Sequence, residues 1–165
     1  MDLDLKDRII LANQYRILEK LNPDEADHYA QNVKILESGY ALDYARFGEH
    51  FSEEMSVDDC REVRDILDMY RSLKNAYSEL TDKNGIDPTD WDFRGFDGND
   101  EGSQFSYASF LIEVQGRWRE SKIPDINSHW PTLNRYRRML KEWHASEEKH
   151  SLTGEDVRRI LQHAA

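Results

Sequence analysis

From Val57 to Leu80 the chain places apolar residues at helical spacing: Val63, Ile66, Tyr70, Leu73, Tyr77 and Leu80. A period near 3.6 collects side chains on one face of an α-helix, whereas a half-buried strand needs strict alternation. The stripe therefore predicts one long helix. Ser56, with Asp59 three residues on, is a ready N-cap for it.

The same period recurs through most of the chain. A first helix is predicted over Leu5–Leu21, with Ile10, Ile17 and Leu21 on one face and Leu11, Tyr15 and Leu18 beside them. Asn22-Pro23 ends it, since proline is tolerated at the start of a helix and not inside one. A second follows over Asp24–Glu37 with Tyr29, Val33 and Leu36, stopped by Gly39 as a left-handed cap. Tyr40–Phe51 is a shorter piece interrupted by Gly48. Further helices are predicted over Ser103–Glu120 and from Trp130-Pro131 to His144, with a last one after Thr153, where Asp156 completes a capping box. Tyr107, Phe110, Leu111, Val114 and Trp118 form the stripe of the first of these, and Glu113 and Arg117 an i, i+4 ion pair on it. Leu133, Tyr136, Leu140 and Trp143 form the stripe of the second.

Two stretches are irregular. Thr81–Glu101 holds Gly85, Pro88, Gly95 and Gly98, and its Trp91, Phe93 and Phe96 predict a short extended segment packed across a helix pair. Ser121–His129 reads as a loop around Pro124. The expected fold is all-α with about six or seven helices in one domain over residues 1–165. A helical hairpin over about 5–38 would pack on a more orthogonal bundle over about 40–164.

Composition limits the function. Aromatics at 11% are enough for a core in a chain that is 33% charged. The net charge of −11 repels polyanions, so non-specific nucleic-acid binding is disfavoured. Arg135, Arg137, Arg138 and Lys141 are the one candidate basic patch, or else a solvated helix face. The single cysteine, Cys60, lies in the Val57–Val63 stripe and reads as a small buried hydrophobe. The charged start of the chain is unlike a secretory leader, and no apolar run nears the roughly 18 residues that span a bilayer. A reducing cytoplasm is the expected compartment.

Taken in order, "RIILANQYRILEKLNP", "ILESGY", "DDCREVRDILDMYRSL", "GFD", "YASFLIEVQGRW" and "NRYRRMLKEWHA" resemble the YfbU family over essentially the whole chain. The resemblance implies an all-α bacterial protein of unassigned biochemical activity. Members of that family are sometimes fused to a helix-turn-helix module, which suggests ligand sensing; no such module is seen in this chain.

Residue chemistry adds several candidates. There is no phosphate-binding glycine loop and no His-Glu-x-x-His pair, so no cofactor or metal is expected. Asp97, Asn99, Glu101 and Gly102 fall at calcium-loop positions, but the twelfth position is Ala108 instead of a bidentate glutamate. A turn whose Asp or Asn caps the following helix is the simpler reading. Asn13 and Gln14 sit among apolar residues, so at least one is expected to be partly buried, as a hydrogen-bonded core pair or in a ligand pocket or oligomer contact between helices. Arg138 and His144 form an Arg-x5-His motif, and Arg137 an Arg-x6-His. These are similar to the motif of HEPN ribonucleases, in which the histidine moves a proton and the arginine steadies the phosphate. Six residues along a helix leave the two side chains about 120° apart, which argues against convergence on one helix. Trp91, Arg117, Trp118, Tyr136, Arg137 and Trp143 could wall a pocket for a small planar or anionic ligand. The leading expectation is a non-enzymatic, homo-oligomeric sensor or interaction domain that binds a small ligand or a protein through this aromatic-rich half. A metal-independent ribonuclease using Arg138 and His144 is the alternative.

Overall fold

Three helices begin on the same device. Asp4 and Thr153 each accept a hydrogen bond from the backbone three residues on, at Asp7 and Asp156, whose carboxylates reach back to complete a capping box. Ser56 likewise accepts from the Asp59 N–H. These short polar residues satisfy N–H groups that the helix itself leaves unpaired. The computed structural model describes residues 1–87, 91–121 and 126–163; Pro88 and Pro124 lie outside them. Among the described residues there is no strand, only an isolated parallel bridge between Phe96 and Asn127. The fold is all-α, and no described helix is long and apolar enough to cross a membrane.

The chain forms two compact units, Met1–Glu54 and Met55–Ala165. In the first, α1 (Leu5–Leu21) and α2 (Ala26–Ser38) make a hairpin through a 3₁₀ turn at Pro23–Glu25. Gly39, at φ 71°, caps α2 as its sequence predicts. A 3₁₀ segment follows over Ala41–Gly48. Arg8 donates from Nε to the Leu36 carbonyl at 2.8 Å and from Nη2 to that of Glu37 at 3.1 Å, so one guanidinium occupies the open end of α2. Ala12, Val33, Ile35, Leu36 and Tyr44 are buried, and Tyr15 packs its ring near those of Tyr29 and Phe47.

Here the structure orients α1 and corrects one expectation. Ile10, Ile17 and Leu21, which share a face, are 45%, 59% and 69% exposed, while Leu11, Tyr15 and Leu18 are the half-covered side. Asn13 and Gln14 are both exposed; the buried amide of this unit is Asn32, which meets His28 Nε2 at 3.2 Å. The reason is that α1 carries apolar residues around most of its circumference, and a single partner helix covers only one side.

In the second unit α3 (Val57–Glu79) is the central element. Val63, Ile66, Leu67, Tyr70 and Leu73 share a core with Tyr136, Met139 and Trp143 of α5 (Leu133–His144) and with Val157 and Ile160 of α6 (Gly154–Gln162). Phe93 and Phe96 of the irregular stretch join Tyr70 and Tyr136, with ring centroids 5.4–5.8 Å apart. Edge-to-face contacts of this kind add to simple burial.

The helix predicted over Ser103–Glu120 is shorter than its pattern. α4 (Gly102–Ser109) runs into a π-turn at Phe110–Val114, closed by Gln115 N–H on the Phe110 carbonyl at 2.9 Å. The extra residue shifts the phase, so Leu111 and Ile112 are buried while Phe110 and Val114 face out. Gly116 at φ 66° then turns the chain away. Arg117 thus leaves the helical register of Glu113, and its guanidinium lies over the Trp118 ring, 4.2 Å from the centroid. α5 begins at Leu133, later than the predicted Trp130-Pro131 start.

Burial in this cluster has a measurable consequence. The Tyr136 hydroxyl donates to the Gly95 carbonyl at 2.8 Å, and desolvation pushes its ionisation up to about 12. Burial raises Tyr70 as well. An unfolded tyrosine loses its proton near pH 10. The native state therefore holds more protons between pH 10 and 12, and stability, complete below that window, is lost as pH rises through it. We expect unfolding of this unit, followed by tryptophan fluorescence, to weaken by about 3 kcal/mol between about pH 9.5 and about pH 12 on account of Tyr136. Tyr136→Phe should flatten that fall; an unchanged slope would remove Tyr136 as its source.

Candidate functional site

The last two turns of α5 carry Arg137, Lys141 and His144 at i, i+4 and i+7, and the first turns of α3 carry Asp58, Glu62 and Asp65 at the same spacing. Both trios line one groove of about 320 Å³, together with Arg61 and Leu140. Its charges answer one another. Arg137 forks onto Glu62 through Nε at 2.8 Å and Nη2 at 2.9 Å, and that carboxylate makes the guanidinium still harder to deprotonate. Arg61 pairs with Asp58 at 2.5 Å. His144 Nε2 stands 3.4 Å from Asp65, and its Nδ1 is 3.0 Å from the Lys149 ammonium. Lysine can only donate, so the neighbours fit an imidazole whose proton is on Nε2.

Arg138 is not among the groove residues; Arg137 is the arginine that shares His144's face. This follows from helix geometry, because seven residues nearly complete two turns and six do not. The partners missed by sequence reasoning, Glu62 and Asp65, had a signal available. Two stripes of opposite charge at i, i+4, i+7 mark helices that face each other.

Of the six residues expected to wall a ligand pocket, Trp118, Tyr136 and Trp143 are buried in one core cluster and Trp91 packs against it. Trp91 packs on Tyr77 with centroids 5.0 Å apart. Trp118, held at φ 46°, is buried; its indole donates to Asp68 at 2.7 Å under the guanidinium of Arg117. Tyr136 is core. Trp143 is also buried and donates to the Lys149 carbonyl at 2.8 Å. Arg137 lies in the α3–α5 groove. The rings of Trp118, Tyr136 and Trp143 are thus part of the core.

The calcium-like segment is structural too. Asp97 and Glu101 are buried, and Asp97 accepts from the Asn99 N–H at 3.0 Å. Glu101 caps not its own helix but α5, accepting from the N–H groups of Thr132 at 2.8 Å and Leu133 at 2.6 Å. Among the described residues no group of three or more His, Cys, Asp or Glu is placed to hold a metal.

The first unit offers a different surface. A cavity of about 440 Å³ beside α1 is lined by Met1, Leu3, Leu11, Tyr15, Phe47 and Phe51. Another, of about 380 Å³, lies along Leu5, Ile9, Asn13 and Arg16. Of the thirteen exposed large hydrophobics among the described residues, nine belong to this unit, although it is about half the size of the other.

The architecture is that of an all-α protein in two helical units. The YfbU domain family model matches residues 1–163 of this chain, and the chain belongs to the YfbU family.

Proposed function

We propose that this chain is a non-catalytic protein-interaction domain that works as a homo-oligomer. The observation that carries the reading is the uncovered apolar side of α1, where Ile9, Ile10, Ile17 and Leu21 stand between 45% and 69% exposed. Contiguous apolar surface of this kind marks an interface. Trp118, Tyr136 and Trp143 support ligand binding less, because their rings are buried in the core. The ribonuclease alternative draws less support as well. Arg138, the arginine of that alternative, is not among the residues that line the groove with His144, and Arg137, which is, forks onto Glu62. A bacterial cytoplasm suits a chain whose one cysteine is left free.

Two measurements test the two halves of this reading. Native mass spectrometry of the purified full chain should give a discrete multiple of the chain mass; a bare monomer removes the oligomer. RNA incubated in chelator should stay intact with the parent protein and with His144→Ala. Cleavage by the parent that His144→Ala abolishes would overturn the non-catalytic half.

A further inference from the structure

We infer that the cleft between α3 and α4 binds a small aromatic carboxylate, with Arg64 as its anchor. The core takes one side of α3. The other side carries Val57, Cys60, Arg61, Arg64 and Asp68, at i, i+3, i+4, i+7 and i+11. These five positions fall within about 100° of one another around the helix, so they form one face. They line a cavity of about 470 Å³ together with Met55 and with Tyr107 of α4. Small-molecule sites enclose roughly 300–1,000 Å³. Cys60, expected to be a small buried hydrophobe, is only half-buried and stands in this cavity. All of these residues belong to the Met55–Ala165 unit, and the cavity does not depend on assembly.

The charges around the cavity leave one cation over. Arg61 is paired with Asp58 at 2.5 Å. Asp68 accepts from the Trp118 indole at 2.7 Å and faces Arg71 at 3.6 Å. Asp65, which lines both this cavity and the charged groove, faces His144 at 3.4 Å. Among the described residues Arg64 makes no side-chain hydrogen bond and no ion pair. A guanidinium whose N–H fork is unengaged matches a carboxylate, which accepts two parallel hydrogen bonds from it. One surplus positive charge suits a monoanion. A phosphate monoester would bring a second negative charge beside Asp65 and Asp68.

The walls select the body of that anion. Tyr107 stacks on Phe110, with ring centroids 6.4 Å apart and planes 19° apart. The π-turn that begins at Phe110 leaves that ring exposed behind the cavity wall, and π-turns of this kind concentrate at functional sites. Val57 is 70% exposed and Met55 is half-buried. An aromatic ring laid against Tyr107 and Val57 takes apolar surface on both sides out of water, while its carboxylate reaches Arg64.

Cys60 is the chain's one thiol, so it reports whether the cavity is filled. In the full chain, 2-naphthoate should slow the alkylation of Cys60 by iodoacetamide, followed as added mass. The rate should fall about tenfold at ten times the dissociation constant, relative to the same protein without 2-naphthoate. Naphthalene-2-methanol, the neutral analogue, should bind at least about tenfold more weakly, and Arg64→Ala should weaken 2-naphthoate by a similar factor. Arg64→Lys should recover part of the loss, since it keeps the charge without the fork. Arg64→Ala breaks no contact of the fold, so its tryptophan-monitored unfolding should match that of the parent. A parent whose Cys60 resists iodoacetamide has a covered cleft, which overturns the proposal. So does the lack of saturable protection by 2-naphthoate up to about 10 mM. Equal protection by the alcohol, or protection that survives Arg64→Ala, would remove the anion anchor and the ligand class with it. A monomer in which 2-naphthoate protects Cys60 would keep this site while ending the homo-oligomer reading.

Discussion

Glu101→Ala should destabilise the Met55–Ala165 unit by about 3–5 kcal/mol, from the loss of several hydrogen bonds to a buried charge. The carboxylate is 6% exposed. Oε1 accepts from the N–H groups of Thr132 and Leu133, and Oε2 from the N–H of Asp97 at 3.0 Å and the hydroxyl of Thr132 at 3.0 Å. A negative charge at the start of α5 also meets the positive end of the helix dipole. Alanine leaves these donors buried and unanswered, which costs more than the bonds contributed net. Glu101→Gln should cost less, because an amide keeps one oxygen for the α5 donors and its nitrogen can donate to Thr132. It still sets an N–H against that of Asp97. All four tryptophans lie at or beyond Trp91, so urea unfolding by tryptophan fluorescence reports this unit alone. A loss below about 1 kcal/mol for Glu101→Ala would mean that water replaces the carboxylate, contrary to its burial.

The helices were legible because their signals are local. Ser56 with Asp59, Thr153 with Asp156 and Gly39 are each read within four residues of sequence, and each caps the predicted helix. Periodicity also found α1, yet left open which of its faces is covered. A helix with Ile9, Ile10 and Ile17 on one side and Leu11, Tyr15 and Leu18 on the other carries no mark of which side its neighbour covers. The end of α4 failed for a related reason. Phe110, Val114 and Trp118 continue an α-helical stripe on paper, and the π-turn that breaks its phase has no single-residue signature. The turn at Gly116 was readable as a glycine, but not as a stop.

The candidate site was less legible than the fold. Aromatic residues at helical spacing serve a core or a pocket equally well, and Tyr136 and Trp143 turned out to be core. Arg137 and His144 were found, while Glu62 and Asp65, 75 and 79 residues before them, were not. Pairing across two helices depends on tertiary register. Glu101 shows the same limit: its donors at Thr132 and Leu133 lie more than thirty residues downstream. A buried carboxylate of this kind looks like a cation ligand in sequence because both roles need oxygen atoms. The structure separates them by what faces those oxygens, here N–H and O–H donors.

Gly95→Ala is the substitution we expect to harm the fold most, and Gly85→Ala shows why. Both glycines have positive φ, 84° and 76°, where an L side chain costs about 1 kcal/mol or slightly more. At Gly85 an added methyl meets nothing within 4 Å, so that strain should be the whole cost. At Gly95 the methyl would run into the backbone carbonyl of Ile126, which cannot swing aside. That carbonyl accepts the Phe96 N–H at 3.0 Å, and Ser128 N–H returns to the Phe96 carbonyl at 3.0 Å, so the two segments are pinned together. The Gly95 carbonyl in turn takes a hydrogen bond from Tyr136 and lies 2.9 Å from the Thr132 hydroxyl, whose one proton is shared between it and Glu101. Moving the backbone to admit a methyl therefore disturbs the Phe96–Asn127 bridge, the aromatic cluster and the start of α5 together. We expect Gly95→Ala to cost more than about 4 kcal/mol, or to prevent this unit from folding, against about 1 kcal/mol for Gly85→Ala. Similar tryptophan-monitored midpoints for the two variants would mean that the crossing of Gly95 over Ile126 is loose, and that the cluster around Tyr136 does not depend on it.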